Sequence, residues 1–298
     1  MKKLTGLLAA PFTPFTEDGA IDWNKIPALA DALVADGVTG AYVCGTTGEG
    51  ISCTLDERFA LLEAWADAAR GRLVLIAHTG ALALGEVEKL NRKAVELGYD
   101  AVSAIPTTFF RPADEEALVE YCRQAASSAP EVPFYYYHTM NARLELSPSR
   151  FLRLAAERIP TLGGIKFNHH NLYEFQLCRD FAQDRYDIVF GVDEFFAGAL
   201  ALGATAFIGS TYNYSAPLYQ GIWEAFRAGD WAAVHSGMRK VCRGVQLLNQ
   251  YGGLPAGKAM MGVKGLDCGP ARVPLRQLAP AARAQIAQKL TEILSSEA

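Results

Sequence analysis

The chain contains eight short, almost wholly apolar segments that recur roughly every 20 to 35 residues between residues 6 and 209. Each segment has little alternation between apolar and polar side chains, which is typical of strands buried on both faces of a parallel sheet. Strands are therefore predicted over 6–10, 41–44, 73–77, 101–105, 134–137, 162–166, 188–191 and 205–209.

The stretches between these segments carry helical patterns. Thr54, followed three residues later by Glu57, resembles a capping box and predicts the start of a helix. Ser147 before Pro148 predicts another helix start, with serine as the cap and proline at the first helical position. Helices are accordingly predicted over 26–35, 54–69, 85–97, 114–126, from 147 onward and over 194–202.

Alternation of strand and helix predicts βαβ units and a parallel sheet. Eight units favour the α/β class in the form of a (β/α)8 TIM barrel, for which 298 residues is an ordinary length. An open doubly wound sheet is the alternative, but no Gly-x-Gly-x-x-Gly follows the first strand. We predict a barrel over 1–228 and a helical extension over 229–298 packed on it, with a Gly/Pro-rich break at 252–274.

Composition argues against several classes of partner. With 28 Lys and Arg against 32 Asp and Glu, the formal net charge is −4, and without a basic run nucleic acid is not an expected partner. No apolar stretch reaches the ~18 residues of a membrane span. No long apolar region or small-residue cleavage site follows the basic start of the chain, so we do not expect a signal peptide. Six scattered cysteines indicate a reducing compartment, and we expect the cytoplasm.

A metal centre is not expected. His169 and His170 are the one adjacent pair of histidines, and such a pair on a loop is more often solvated than ligating. A metal-dependent barrel aldolase would need several His or carboxylate ligands at strand ends, which this chain does not gather. The sequence therefore does not predict a metal.

Lys166 is the most informative polar residue. Active sites of barrels lie at the carboxyl ends of the strands, and of the ten lysines only Lys166 ends an apolar strand. The other nine fall in predicted helices, loops or the N-terminal tail, where we expect free solvation. Burial lowers the pKa of a lysine, and a neutral amine attacks ketones. A lysine that reaches solvent or pairs with an acid is the equally supported alternative.

Other strand ends carry polar groups that could serve the same cavity. Thr46 and Thr47 lie in a glycine-rich turn whose amides and hydroxyls could hold a carboxylate, although threonines in such a turn more often cap the next segment. Tyr137 ends its strand and could act as an acid or base beside Lys166, although strand tyrosines usually belong to the core. An acid such as Glu194 could simply begin a helix.

Five separated motifs resemble those of the pyruvate-dependent class I aldolases, the family that includes dihydrodipicolinate synthases and N-acetylneuraminate lyases. The resemblance extends from Thr13-Pro14-Phe15 to the segment 269–275, and it is strongest to the N-acetylneuraminate lyases. The motifs are Gly45-Thr46-Thr47-Gly48-Glu49, Phe134-Tyr135-Tyr136-Tyr137-His138, Gly164-Ile165-Lys166-Phe167, Phe190-Gly191-Val192-Asp193-Glu194 and Gly209-Ser210-Thr211-Tyr212-Asn213.

The resemblance implies a carbon–carbon lyase that cleaves N-acetylneuraminate reversibly to pyruvate and N-acetylmannosamine. It implies that Lys166 forms a Schiff base with the substrate ketone, that Tyr137 transfers the proton, and that Thr46 and Thr47 hold the carboxylate. It also implies a homotetramer, a role in carbohydrate metabolism and no need for a cofactor, because covalent catalysis takes its place. The residues that it assigns to the sugar hydroxyls are Gly191, Asp193, Glu194 and Ser210, and Asn168 stands at a further position that contacts substrate.

The chain departs from the usual lyase pattern at 139–145 and at Asn168, where a Thr or Ser is usual. These positions belong to the distal pocket, so another 2-oxo sugar acid is the alternative substrate. The dihydrodipicolinate synthase alternative is weaker, because the arginine expected five residues after the tyrosine would fall at Ala142, one place before Arg143. A barrel that binds a ligand without catalysis is disfavoured by the complete set of Lys166, Tyr137 and the two threonines.

Overall fold

Eight parallel strands pair in sequence order and close into one barrel, as the sequence predicts. The structure is a computed structural model that describes residues 3–296. Each predicted strand is present with ends within two residues of the expected ones. The strands are β1 Gly6–Ala9, β2 Gly40–Val43, β3 Val74–His78, β4 Ala101–Ala104, β5 Phe134–Thr139, β6 Leu162–Asn168, β7 Asp187–Phe190 and β8 Ala206–Gly209.

Helices connect the strands and continue beyond the last one. Thr54 caps the second helix with the predicted capping box, and Ser147 caps the fifth with Pro148 in its first turn. The helices are α1 Ile26–Ala35, α2 Leu55–Ala69, α3 Leu84–Glu96, α4 Glu115–Ser127, α5 Pro148–Arg158, α6 Leu172–Ala182, α7 Phe196–Ala201, α8 Tyr212–Ala228, α9 Trp231–Gln250, α10 Leu254–Met260 and α11 Pro280–Ser295.

Two helix predictions need correction. The helix expected over 194–202 is split into a 3-10 turn, Asp193–Phe195, and the short helix α7, so both acids lie in the turn. The region 252–274 is not a continuous break, because it contains α10 and a further 3-10 turn, Met261–Lys264. Pro255 occupies the first turn of α10, where a missing N–H costs nothing.

The core is divided by the barrel wall. One cluster of apolar side chains lies between the strands and the surrounding helices. A second, smaller cluster fills the barrel interior and includes Tyr42, Ile76, Tyr135 and Ile208. The inner cluster fills the barrel interior, and in barrels of this kind the site lies at the carboxyl ends of the strands.

The end of α8 at Ala228, capped by Gly229, coincides with the predicted division of the chain. That division into 1–228 and 229–298 stays a prediction. Within residues 3–296, no helix is both long enough and apolar enough to cross a membrane.

Candidate active site

Lys166 lies inside the barrel on β6 and is 5% exposed. Its Nζ is 4.0 Å from the ring centroid of Tyr42 and 4.1 Å from that of Tyr137. Burial lowers the pKa of the Lys166 ammonium, although Tyr137 and Asp193 oppose the shift. This environment favours the neutral amine that attack on a ketone requires.

Tyr137 lies opposite Lys166 in the register between β5 and β6. Its hydroxyl is 3.5 Å from Thr46 Oγ1, and it accepts a hydrogen bond from Asn168 Nδ2 at 3.4 Å. Burial would raise the pKa of Tyr137, but the charge of Lys166 and hydrogen bonds from neighbouring hydroxyls bring it below its ordinary value. A positive nitrogen at Lys166, as in the ammonium or in a protonated imine, therefore favours the phenolate of Tyr137.

Alternation along β5 separates the three tyrosines, as the pleat requires. Tyr135 points into the barrel and donates to Asp187 at 2.7 Å, at the amino end of the strands. Tyr136 points outward and packs on Phe151 of α5 at a centroid distance of 4.4 Å. Only Tyr137 is placed to meet Lys166 at the open end.

The turn after β2 brings Thr46 and Thr47 to the same opening. Gly45 is required there, because a Cβ at this position would lie 2.8 Å from the ring of Tyr42. The carbonyl of Gly48 accepts a hydrogen bond of 2.6 Å from Thr13 Oγ1, which ties the turn to the segment after β1.

Asp193 is a buried carboxylate between the ends of β7 and β8. Its Oδ2 accepts from the backbone N–H of Thr211 at 3.0 Å and from Thr211 Oγ1 at 2.7 Å. Its Oδ1 has no partner among the described residues. Burial raises the pKa of Asp193 from 3.8 to about 6, although the hydrogen bonds from Thr211 act to lower it. Gly209 is needed beside it, because a Cβ there would overlap this carboxylate.

All nine site residues predicted from the sequence line one cavity of about 330 Å³. Such a volume suits a small molecule. The nine are Thr46, Thr47, Tyr137, Lys166, Asn168, Gly191, Asp193, Glu194 and Ser210.

The cavity has walls that the sequence analysis did not predict. Val245, Leu248 and Asn249 of α9 line it, so the C-terminal extension contributes to the site. His170 lines it as well, stacks on Phe195 at a centroid distance of 5.0 Å and lies 3.7 Å from Glu194 Oε1. The His169-His170 doublet was the available signal for this contact, whereas nothing in the sequence marks α9 as a wall.

One expectation about lysines is wrong. Lys258 of α10 is 1% exposed and donates to Glu49 Oε1 at 3.0 Å, so it is not freely solvated. Its partner lies 209 residues away, and no local pattern could reveal the pair. Among residues 3–296, no group of three or more His, Cys, Asp or Glu side chains is arranged to hold a metal ion.

Comparison with known proteins places this geometry in a family. The model of the dihydrodipicolinate synthetase family matches residues 3–293. An N-acetylneuraminate lyase of Mus musculus is 37% identical over 99% of this chain and 95% of its own length. The structure of a Proteus mirabilis N-acetylneuraminate lyase superposes with a TM-score of 0.96 at 46% identity, covering 98% of this chain and 99% of the other. The structure of an Aliivibrio salmonicida N-acetylneuraminate lyase (sialic acid aldolase) superposes with a TM-score of 0.97 at 43% identity. It covers 100% of this chain and 99% of its own.

Proposed function

The chain belongs to the dihydrodipicolinate synthetase family, and from that membership we propose that it is a Schiff-base lyase that cleaves N-acetylneuraminate reversibly to pyruvate and N-acetylmannosamine. The similarity to N-acetylneuraminate lyases over nearly the full chain supports the substrate. The observation that carries the chemistry is the buried Lys166, whose pKa is lowered and whose Nζ faces the cavity beside Tyr137.

The first half of the reaction is the capture of the ketone. The neutral Lys166 amine attacks C2 of the open-chain sugar acid, and loss of water leaves a protonated imine. The positive nitrogen then withdraws electrons from the C3–C4 bond. Burial lowers the pKa of Lys166, which increases the fraction of the amine whose lone pair is free to attack.

The second half is cleavage and release. The proton of the Tyr137 hydroxyl leaves with the water that is lost as the imine forms, a transfer that solvent can also serve. The resulting phenolate accepts the proton of the C4 hydroxyl as the C3–C4 bond breaks, which leaves an enamine on Lys166 and an aldehyde product. Protonation of the enamine at C3 and hydrolysis of the imine return pyruvate and the free amine. The positive charge of the imine nitrogen on Lys166 lowers the pKa of Tyr137 and so favours the phenolate that accepts this proton.

The remaining residues bind substrate in this proposal. Thr46 and Thr47 hold the carboxylate next to the imine, since Thr46 Oγ1 is within 3.5 Å of the Tyr137 hydroxyl. Hydrogen-bonding groups at the distal part of the cavity receive the polyol. They are Asn168, Gly191, Asp193, Glu194 and Ser210.

The proposal also includes assembly and compartment. We infer a homotetramer that acts in the cytoplasm in carbohydrate metabolism. Six free cysteines support a reducing compartment. Phe109 and Phe110, on the loop after β4, are 79% and 83% exposed, and large exposed apolar side chains of this kind support contact with another subunit.

Reductive trapping tests the proposal. Cyanoborohydride with pyruvate should add a reduced pyruvyl group to Lys166, read by peptide mass spectrometry. Lys166→Ala should abolish both the label and cleavage of N-acetylneuraminate. Lys89→Ala, which removes an exposed lysine of α3, is the matched control and should retain both. Label or cleavage that persists in Lys166→Ala overturns the assignment. If the enzyme is labelled but cleaves only another 2-oxo sugar acid, the assigned substrate is wrong and the assigned mechanism stands.

A further inference from the structure

Three segments that the proposed chemistry does not use converge behind the Thr46–Thr47 turn. They are Thr13-Pro14-Phe15, the residue Glu49, and the segment around Arg272 in the C-terminal extension. The first follows β1, the second ends the turn after β2, and the third lies between α10 and α11. All three are joined by one buried ion-pair cluster.

The centre of this cluster is Glu49. Its side chain is 1% exposed. It accepts hydrogen bonds from two residues, and both of them belong to the C-terminal extension. Lys258 Nζ donates to Oε1 at 3.0 Å, and the backbone N–H of Arg272 donates to Oε2 at 2.8 Å. Lys258 also donates to the carbonyl of Pro270 at 2.7 Å. A buried carboxylate with both oxygens satisfied in this way has little freedom to move.

An aromatic ring lies between the two cations. Lys258 Nζ is 4.1 Å and the Arg272 guanidinium carbon 4.4 Å from the centroid of Phe15. The Arg272 side chain continues outward to Glu57 in the first turn of α2, with Nη1 donating at 2.7 Å. The cluster therefore connects the segment after β1, the turn after β2 and the start of α2 with the C-terminal extension.

The backbone at Glu49 explains why such a connection is needed. Glu49 has φ = +53°, in the left-handed region that non-glycine residues adopt at a cost. It comes two residues after Thr47, and the carbonyl of Gly48 between them accepts from Thr13. A strained turn keeps one conformation only where its surroundings determine it, and here Lys258, Arg272 and Thr13 supply those constraints.

We propose that Glu49 and Lys258 are positioning residues that fix the Thr46–Thr47 turn for the carboxylate of the substrate. The inference rests on the proposed function, in which that turn holds the pyruvyl carboxylate. Lys258 also neutralises Glu49, so the turn presents no unpaired negative charge to an anionic substrate. Loss of the pair should weaken binding of ketones that carry a carboxylate and leave other ketones unaffected.

The test compares two ketones of similar size in the trapping reaction. Pyruvate carries the carboxylate, and hydroxyacetone replaces it with a hydroxymethyl group. The concentration that half-saturates labelling of Lys166 is measured for each, because this value does not depend on the fraction of enzyme that is folded. The variants are Glu49→Gln, which keeps the shape, and Glu49→Gln combined with Lys258→Met, which leaves no buried charge unpaired. Glu57→Gln is the matched control in the same cluster, outside the turn.

We expect Glu49→Gln and the double variant to raise the half-saturating pyruvate concentration by about tenfold or more, as a displaced binding group does. The half-saturating concentration of hydroxyacetone should be the same in these variants as in the unmodified enzyme. Glu57→Gln should change neither value, although it lowers the melting temperature. An unchanged pyruvate value in Glu49→Gln, or an equal rise for both ketones, overturns the positioning role. Absence of label in the unmodified enzyme overturns the proposed function instead.

Discussion

Two buried lysines differ in the groups that surround them, and in the proposed mechanism only one of them is a nucleophile. Lys258 donates to a carboxylate 3.0 Å away and to a backbone carbonyl, so its charge is matched. Burial lowers the pKa of both lysines, but Lys166 faces two tyrosine rings and the cavity where Lys258 has a carboxylate partner. The sequence predicted Lys166 because it ends an apolar strand. It could not predict Lys258, because the partner that allows this burial is distant in the chain.

Tyr137→Phe should separate imine formation from bond cleavage. We expect cleavage of N-acetylneuraminate to fall roughly 10²- to 10⁴-fold, the contribution usual for a positioned acid or base. Trapping of pyruvate on Lys166 should continue, because the amine and the threonines remain. Tyr136→Phe, whose hydroxyl lies on the outer side of β5 near His138, is the control and should cleave normally. Unchanged cleavage in Tyr137→Phe would remove this residue from the mechanism.

Asp193 should make stability depend on pH. Its pKa is raised to about 6 in the folded chain from an ordinary 3.8, so the folded state binds its proton more tightly than the unfolded state. The resulting stabilisation is present below pH 3.8 and is lost as pH rises through 6. Asp193→Asn does not titrate, so its stability relative to the unmodified chain should rise by about 3 kcal/mol over that interval.

Urea unfolding at a series of pH values measures this difference. Because the two chains differ at one group, the titrations of His78 and of the other buried residues cancel in the comparison. A difference in unfolding free energy that stays constant from pH 4 to pH 7 would contradict the raised pKa of Asp193.

At the scale of elements, local signals predicted what local interactions determine. The strands were evident because each is buried on both faces and reads as a continuous apolar segment. The caps of α2 and α5 were evident because a few adjacent residues form them. The region around α10 was read as a break because of its glycines and prolines, although its buried positions depend on contacts with distant parts of the chain.

Thr54→Ala tests how much the capping box of α2 contributes. Thr54 Oγ1 accepts from the N–H of Glu57 at 3.2 Å, and Glu57 Oε2 accepts from the N–H of Thr54 at 2.8 Å. Loss of the threonine oxygen should lower the free energy of unfolding by about 1 kcal/mol, measured by urea denaturation. Ser127→Ala removes an exposed hydroxyl at the C-terminal end of α4 and should change stability little. Equal losses in the two variants would contradict a specific role for the cap.

At the scale of the whole molecule, the cavity joins parts that the sequence analysis treated separately. All nine predicted residues line it, because strand order in a closed barrel brings every strand end to one opening. The wall from α9 and the cluster around Glu49 form because the C-terminal extension packs on the barrel. No motif in the barrel sequence indicates where that extension packs. The predicted division at residue 228 therefore separates segments that share one site.

The proposed homotetramer is tested at Phe109 and Phe110. These rings contact each other at a centroid distance of 5.0 Å on an exposed loop, and a charged pair there would be costly to bury between subunits. The unmodified chain should sediment at four times the chain mass of 32.3 kDa. Phe109→Glu combined with Phe110→Glu should give a smaller species, whereas Trp231→Glu, at an exposed ring at the start of α9, should sediment as a tetramer. Sedimentation of the unmodified chain as a monomer would contradict the assembly, and an unchanged mass in the double variant would place the contact elsewhere.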